Sequence, residues 1–233
     1  MERKKVVVLT GAGISAESGI PTFRDSNGLW EGHDVMEVAS IEGWHKNPDL
    51  VQDFYNMRRK AAAEAKPNTA HKALVKLESL YDVTIVTQNV DTLHERAGST
   101  NIIHLHGRLD QARSSVDAGL VYDIENEPIK MGQKCDKGSQ LRPNIVWFGE
   151  SVPEIDRALQ KVEEADYLIV VGTSLVVYPA ASLLQYIKPN CQLIVINTHV
   201  ATQKTYPNAE FIERPATFGV PIVVNRLLGT AVN

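Results

Sequence analysis

Cysteine is scarce: Cys135 and Cys191 are the only two in 233 residues, too few for a disulfide scaffold. An excess of basic residues is missing as well. Lys and Arg number 24 against 28 Asp and Glu, a formal charge of -4 with no basic cluster, which argues against nucleic acid as a partner. No apolar run approaches membrane-spanning length and no charged-then-apolar leader is present, so no membrane association is expected and the expected compartment is the cytoplasm. The length suits one large α/β domain with a small insertion better than two independent domains.

What the chain does have is a series of short apolar runs, each closed by small polar residues. Lys4–Thr10 is a β-branched run that predicts a buried parallel strand. Val83, Ile85 and Val86 predict a second, ending in Thr87-Gln88-Asn89-Val90-Asp91. Further strands are predicted over Asn101–Leu105, over Tyr167–Val171 closed by Gly172-Thr173-Ser174, and over Leu193–Ile196 closed by Asn197. Helices are predicted at about 48–65, 68–80 and 154–164, with Pro67 at the first break. Between Arg108 and Arg142 the apolar periodicity disappears, which marks an inserted small module.

After the first strand, Gly11-Ala12-Gly13-Ile14-Ser15-Ala16 fits G-x-G-x-x-A, in which glycines let a backbone approach a pyrophosphate at the start of a helix. A bare strand-to-helix turn needs the same glycines. A standard dinucleotide fold continues into a second strand ending in a ribose-binding acid about 20 residues on. Here residues 20–33 are instead a polar, glycine-containing loop carrying Phe23, Arg24 and Trp30. That argues against a hydride-transferring dehydrogenase and for a loop that either folds over a ligand or packs on the core. Asp91 reads as a ligand group at a strand's carboxyl end or as a cap for the next helix. His106, delivered by the strand over Asn101–Leu105, is the candidate base.

Taken in order, Gly11-Ala12-Gly13-Ile14-Ser15, Phe23-Arg24, Thr87-Gln88-Asn89-Val90-Asp91, His106-Gly107, Val146-Trp147-Phe148-Gly149-Glu150, Gly172-Thr173-Ser174 and Ile196-Asn197 resemble the sirtuin family of NAD-dependent protein-lysine deacylases over nearly the whole chain. The resemblance implies a Rossmann-like parallel sheet with helices on both faces plus a small inserted module. The sheet part is expected at about 1–35, 68–107 and 143–233, a helical insertion at about 36–67, and the module at about 108–142. It implies that Gln88, Asn89 and Asp91 hold the nicotinamide and its ribose, with Arg24 on the closing loop and Trp30 at that loop's end. Gly172, Thr173, Ser174 and Asn197 then line the adenosine side and Ala216 the adenine edge. NAD is implied as a consumed co-substrate and acylated protein lysines as partners. The acyl oxygen attacks the ribose as nicotinamide leaves, and His106 helps deprotonate a ribose hydroxyl. Val146, Trp147, Phe148 and Gly149 look like a strand pairing with the substrate backbone, its aromatics walling the lysine stem.

Two features refine the expectation. Tyr55 and Arg58 lie three apart on a predicted helix and match the sirtuin subgroup that removes acidic acyl groups, succinyl and malonyl, alongside acetyl. A solvated Arg with a half-packed Tyr is the alternative. Most sirtuins also carry a zinc on two C-x-x-C pairs, but here the first pair falls in Arg113-Ser114-Ser115-Val116-Asp117 and the second keeps only Cys135, so no zinc is expected. Two other function classes stay open at this stage: a protein ADP-ribosyltransferase and a non-catalytic NAD-sensing module.

Overall fold

The computed structural model describes residues 2–22, 29–175, 178–199, 206 and 208–230. Strand β1 (Lys5–Thr10) runs into a single-turn helix α1 (Gly13–Ala16), and a small hairpin β2 (Leu29–Trp30) and β3 (His33–Asp34) follows. Helices α2 (Val35–Val38), α3 (Ile41–Lys46), α4 (Pro48–Glu64) and α5 (Thr69–Leu77) lead to β4 (Asp82–Thr87), α6 (Leu93–Ala97) and β5 (Ile102–His104). Next come β6 (Gly107–Ser114), β7 (Val121–Asp123), β8 (Leu141–Ile145), α7 (Ile155–Glu164), β9 (Tyr167–Val171), β10 (Gln192–Asn197), β11 (Glu210–Glu213) and α8 (Ala216–Leu228).

Six strands form one parallel sheet in the order β11-β10-β9-β1-β4-β5. Counted among themselves and read from β5, they follow the order 3-2-1-4-5-6 of a doubly wound dinucleotide fold, whose crevice opens where the order reverses. That reversal lies between β1 and β9. The strands alternate their side chains between two apolar layers. Val6 and Val8 point into a layer with Leu74 of α5 and Val220 and Val223 of α8, while Val7 and Leu9 point into one with Ala158 and Val162 of α7. Both faces are thereby covered, as a parallel sheet requires.

Helix α4 starts from an Asn47 side chain that accepts the Leu50 N–H, with Pro48 in its first turn. Its buried stripe, Val51, Phe54, Tyr55, Arg58 and Ala62, follows helical spacing and faces a cluster with Val38, Trp44, Ile145 and Trp147. The inserted module is a three-stranded antiparallel sheet, β7-β6-β8, over a small core of Ala112, Ile129, Cys135 and Leu141.

The structure differs from the sequence reading in three places. The helix expected after the glycine turn is one turn long. The run Val146–Gly149 is not part of a ladder, because β8 ends at Ile145 and Phe148 makes one parallel bridge to Ser40. The hairpin β2–β3, strand β11 and helix α8 were not anticipated.

Candidate functional site

The parallel register brings Thr10 level with Thr87 and with Val171, and Val171 level with Ile196. Every polar turn that follows these strands therefore opens on the same end of the sheet. At the reversal the glycine turn and the turn after β9 touch backbone to backbone. Gly11 N–H donates to the Val171 carbonyl at 3.0 Å and Gly13 N–H to the Gly172 carbonyl at 2.8 Å. A Cβ on Gly13 would stand 2.7 Å from Gly172 Cα, and Gly172 itself has φ +61°. No side chain fits there, so the backbone alone lines the crevice.

Around this turn the predicted cofactor residues form one network. Ser15 Oγ donates to Asp91 Oδ2 at 3.0 Å, and Asn89 Nδ2 donates to the Gly11 carbonyl at 3.1 Å and to Ser15 Oγ at 3.2 Å. Gln88 Nε2 donates to Thr173 Oγ1 at 3.1 Å, and Asn197 Nδ2 to the Thr173 carbonyl at 2.9 Å. Asn89 and Asp91 are buried. Burial raises the Asp91 pKa, against the Leu93 N–H and Ser15 hydroxyl that favour its carboxylate. Its Oδ1 accepts the Leu93 N–H at 3.0 Å, so Asp91 both steadies the start of α6 and joins the cleft network. Ala12 and Ser174 lie in the same two turns. Ala216, at the start of α8, is packed in the core with Ile196 and Val171. Phe23 and Arg24 lie outside the described residues.

His106 sits two residues beyond β5. Its Nδ1 is 3.0 Å from the Gln88 carbonyl, an acceptor, so the N–H is at Nδ1 and the Nε2 lone pair is left for a proton. Burial lowers the His106 pKa below its ordinary 6.5, against the Gln88 hydrogen bond that raises it. The ring is neutral at pH 7, as a base must be. The His106 carbonyl accepts the Val146 N–H at 3.0 Å, which fastens the base to the segment predicted to meet the acyl-lysine.

That segment is already committed along much of its backbone. Trp147 N–H donates to Glu150 Oε2, Phe148 N–H to the Ala39 carbonyl, and the Phe148 carbonyl accepts the Ile41 N–H. The role expected of it as a free pairing strand is therefore restricted, because Val146, Trp147 and Phe148 all spend their N–H groups inside the fold. Trp147 is buried and Phe148 exposed.

Tyr55 and Arg58 are both buried, 1% and 8% exposed, which removes the reading of a solvated Arg with a half-packed Tyr. The Tyr55 ring lies 5.9 Å from that of Trp147. Burial pushes the Tyr55 phenol up despite the Arg58 charge, so it is a neutral donor. The Arg58 guanidinium lies over the Trp30 ring at 4.0 Å, its ion pair among the described residues is to Glu31 at 3.7 Å, and its Nε is buried with no hydrogen-bond partner among them. Trp30, predicted at the end of the cofactor loop, thus stacks on the Arg58 guanidinium.

Glu150, quoted in a motif but given no role from the sequence, holds the wall together. It accepts Arg113 NH2 at 2.7 Å and both Arg142 amino groups at 2.8 and 2.9 Å, while the Arg142 guanidinium lies 3.4 Å from the Trp147 ring centroid. His104 and Glu95 were also missed; the position of His104, at the end of β5 two residues before His106, is the signal that points to it.

Where most sirtuins place zinc ligands, Cys135 Sγ meets the Ser114 and Ser139 hydroxyls at 3.3 and 3.1 Å, and Lys137 pairs with Asp117 at 2.6 Å. Among the described residues no three His, Cys, Asp or Glu side chains are grouped to hold a metal ion. No helix among them is long and apolar enough to cross a membrane.

The same arrangement recurs in known proteins. An NAD-dependent protein deacylase of Helicobacter pylori is 50% identical over 228 residues, covering 98% of this chain and 99% of that protein. A Bacteroides thetaiotaomicron protein of the same name is 49% identical over 222 residues, covering 93% and 95%. The solved structure of a Sir2 homologue–NAD complex superposes with a TM-score of 0.87 at 42% identity, covering 98% of this chain and 91% of that one. A Sir2 bound to acetylated peptide superposes at 0.79 with 31% identity, covering 99% and 95%. With the profile described as "Sir2 family" matching residues 11–179, the two-glycine turn, the Gln88–Asp91 loop and His106 fall into place together: the chain belongs to the Sir2 family.

Proposed function

We propose that this chain is an NAD-dependent protein deacylase that removes acetyl and, preferentially, succinyl and malonyl groups from protein lysines. Acyl-lysine, NAD and water give lysine, nicotinamide and O-acyl-ADP-ribose. The observation that carries the reading is the placement of His106, with Nδ1 spent on Gln88, Nε2 available, and its carbonyl tied to the acyl-facing segment. NAD supplies the activated nicotinamide–ribose bond whose cleavage drives acyl transfer.

The residues fit such a group. At Gly11, Gly13 and Gly172 the missing side chains let the two turns pack backbone to backbone, and a pyrophosphate would lie across these turns, with Thr173, Ser174, Asn197 and Ala216 on the adenosine side. Gln88, Asn89, Asp91 and Ser15 face the nicotinamide ribose, and Phe23, Arg24 and Trp30 belong to the covering loop. His106 takes a proton from a ribose hydroxyl at Nε2, and its buried setting limits access of water to the reacting centre. Trp147 and Phe148 wall the lysine stem, with Gly149 left to meet substrate backbone.

Arg58 supports the acidic-acyl preference. A buried guanidinium with an orphaned Nε and a 3.7 Å partner is an incompletely satisfied cation, and a substrate carboxylate completes it. The hydroxyl, thiol and ion-pair contacts at Ser114, Ser139, Cys135, Asp117 and Lys137 support a module that folds without zinc. They also support treating about 108–142 as a separate insertion beside the helical one at about 36–67. Unpaired Cys135 and Cys191 are compatible with the cytoplasm as the compartment.

The test is a panel of acetyl-, succinyl- and malonyl-lysine peptides incubated with and without NAD and read by mass spectrometry. Free nicotinamide and O-acyl-ADP-ribose, in proportion to deacylated peptide, is the expected result. Label retained on protein instead identifies an ADP-ribosyltransferase, and NAD binding without turnover identifies a sensing module.

A further inference from the structure

Helix α4 carries two adjacent arginines into different surroundings. Arg58 lies with Tyr55 among the residues proposed to read the acyl group, while Arg59, fully buried, runs toward β6. Arg59 Nε donates to the Leu109 carbonyl at 2.6 Å, and NH1 donates to Asn56 Oδ1 at 2.6 Å. Asn56 is itself held, donating to the Ile129 carbonyl at 2.9 Å and accepting the Ile129 N–H at 3.0 Å, so the guanidinium plane is fixed from both ends. Leu109 falls where the pairing of β6 with β8 is interrupted, between Arg108 and Ala112, and its backbone groups bond off the ladder. Its N–H donates to the Val90 carbonyl at 2.8 Å. One buried guanidinium and one residue of β6 thus join α4 to the middle of the 88–91 loop.

We propose that Arg59 is a positioning residue of this site, a strut that sets the helix carrying Tyr55 and Arg58 against the 88–91 loop, so that a ligand which orders one orders the other. The inference rests on the readings of that loop as NAD-binding and of α4 as acyl-binding. Arg59 touches neither ligand in this reading; it acts through Leu109 and Val90. Burial lowers its pKa to about 10, against the Asp110 charge that raises it, so the strut is a cation at pH 7 and its hydrogen bonds are charge-assisted.

A second connection runs alongside it. Arg96 of α6, the helix that Asp91 starts, donates to the Ala62 carbonyl at 3.0 Å and to the Ala65 carbonyl at 2.5 Å, at the C-terminal end of α4. Helix α6 is held in turn by Asp91, which accepts the Leu93 N–H, and by Glu95, which meets His104 Nε2 at 2.6 Å. Part of the boundary is open. A cleft of about 370 Å³ is lined by Arg59, Ala62 and Ala63 of α4 and by Asp91, Thr92 and Arg96 across from them. Apolar packing is interrupted there, so the polar struts carry the alignment across it.

The experiment is calorimetric titration of the full chain with ADP-ribose, which has the cofactor's riboses and pyrophosphate and is not consumed, with and without a succinyl-lysine peptide. In wild type the peptide should tighten ADP-ribose binding by about five- to twentyfold, and ADP-ribose should tighten peptide binding by the same factor. Arg59→Met, which fills the same space without the charge, should weaken ADP-ribose alone by about three- to tenfold, the worth of one hydrogen bond, and bring the coupling factor below about two. Arg59→Lys, with one donor in place of the fork, should show an intermediate factor. A residue that only supports the fold lowers the melting temperature and leaves the factor of the folded protein as it was. A wild-type factor in Arg59→Met or Arg59→Lys therefore overturns the proposal, as does a factor of one in the wild type. Two variants test the readings beneath it. If Asn89→Ala leaves ADP-ribose affinity unchanged, or Arg58→Met leaves peptide affinity unchanged, the corresponding reading fails and the proposal with it. Losses in both, with a wild-type factor in Arg59→Met, overturn the strut alone.

Discussion

The Glu31 carboxylate stands 3.7 Å from the Arg58 guanidinium, on a residue whose φ is +52°. A substrate carboxylate read by Arg58, as proposed, would compete with it. Glu31→Gln removes the competing charge and should raise kcat/KM for succinyl-lysine by about two- to fivefold, as expected for a partly exposed ion pair. Acetyl-lysine turnover should not change. An equal gain on both peptides would assign Glu31 to general loop stability.

Arg58→Met should lower kcat/KM for succinyl-lysine by about ten- to a hundredfold, since a charge-assisted contact in a buried site is worth about 1.5–3 kcal/mol. Acetyl-lysine kinetics should be spared. Tyr55→Phe should act in the same direction but less, removing a neutral donor and leaving the cation. Parallel losses on both peptides would mean that the pair supports the fold.

His106→Ala should bind NAD and lose about 10²–10⁴-fold in turnover. The wild-type pH profile offers a second check. Because burial lowers the His106 pKa, the basic form persists to lower pH than for a free imidazole. The acid limb of kcat/KM should therefore fall below pH 6.5, and a limb at or above that value would remove His106 as the base.

Arg142→Leu should cost about 2–4 kcal/mol in urea unfolding at pH 7, the lower part of the range for breaking a buried pair because Glu150 is 17% exposed. Burial raises the Glu150 pKa, but Arg142 and Arg113 hold it below 4.5. The stability it contributes is present above pH 4.5 and lost as pH falls through the depressed value. The variant should accordingly show a shallower acid loss of stability than wild type.

A strong chelator should leave the melting curve and activity unchanged, with purified protein carrying far less than one zinc per chain. Cys135→Ser should fold, because a hydroxyl can keep the contacts to Ser114 and Ser139. One tightly held zinc per chain would contradict this.

The elements read from sequence were those with one strong period. β1, β9 and β10 are built on unbroken apolar runs, β4 on one interrupted only by Thr84, and α4 carries a cap, a proline in its first turn and a repeating stripe. The missed ones send mixed signals. Helix α8 contains Pro221 and Gly219, both of which argue against a helix locally; yet a Cβ on Gly219 would collide with the Ile196 side chain, so the glycine is what lets α8 lie on the sheet. Strand β11, Glu-Phe-Ile-Glu, is too short to show a period. Val146–Gly149 looks like a strand because Val, Trp and Phe favour extended backbone, but its hydrogen bonds go to the His106 carbonyl, a helix junction and the Glu150 side chain, and Gly149 turns with φ +90°. At the site, the residues on strand ends were legible because a parallel sheet sends every carboxyl end to one side. Glu31, Glu95 and Arg142 were not, since their roles arise from contacts across elements that no local pattern records.

Only Leu105 and His106 separate the last residue of β5, in the parallel sheet, from the first residue of β6, in the antiparallel one. Gly107 has φ +79° and pairs with Ile145, and a Cβ there would collide with the Asn144 carbonyl. The base therefore rides on the covalent seam between the two sheets, two peptide bonds from β5 and one from β6. The far end of the module, from Ser115 to Gln140, reaches His106 through β6 and β8, and the Asn56–Ile129 hydrogen bonds tie that end to α4.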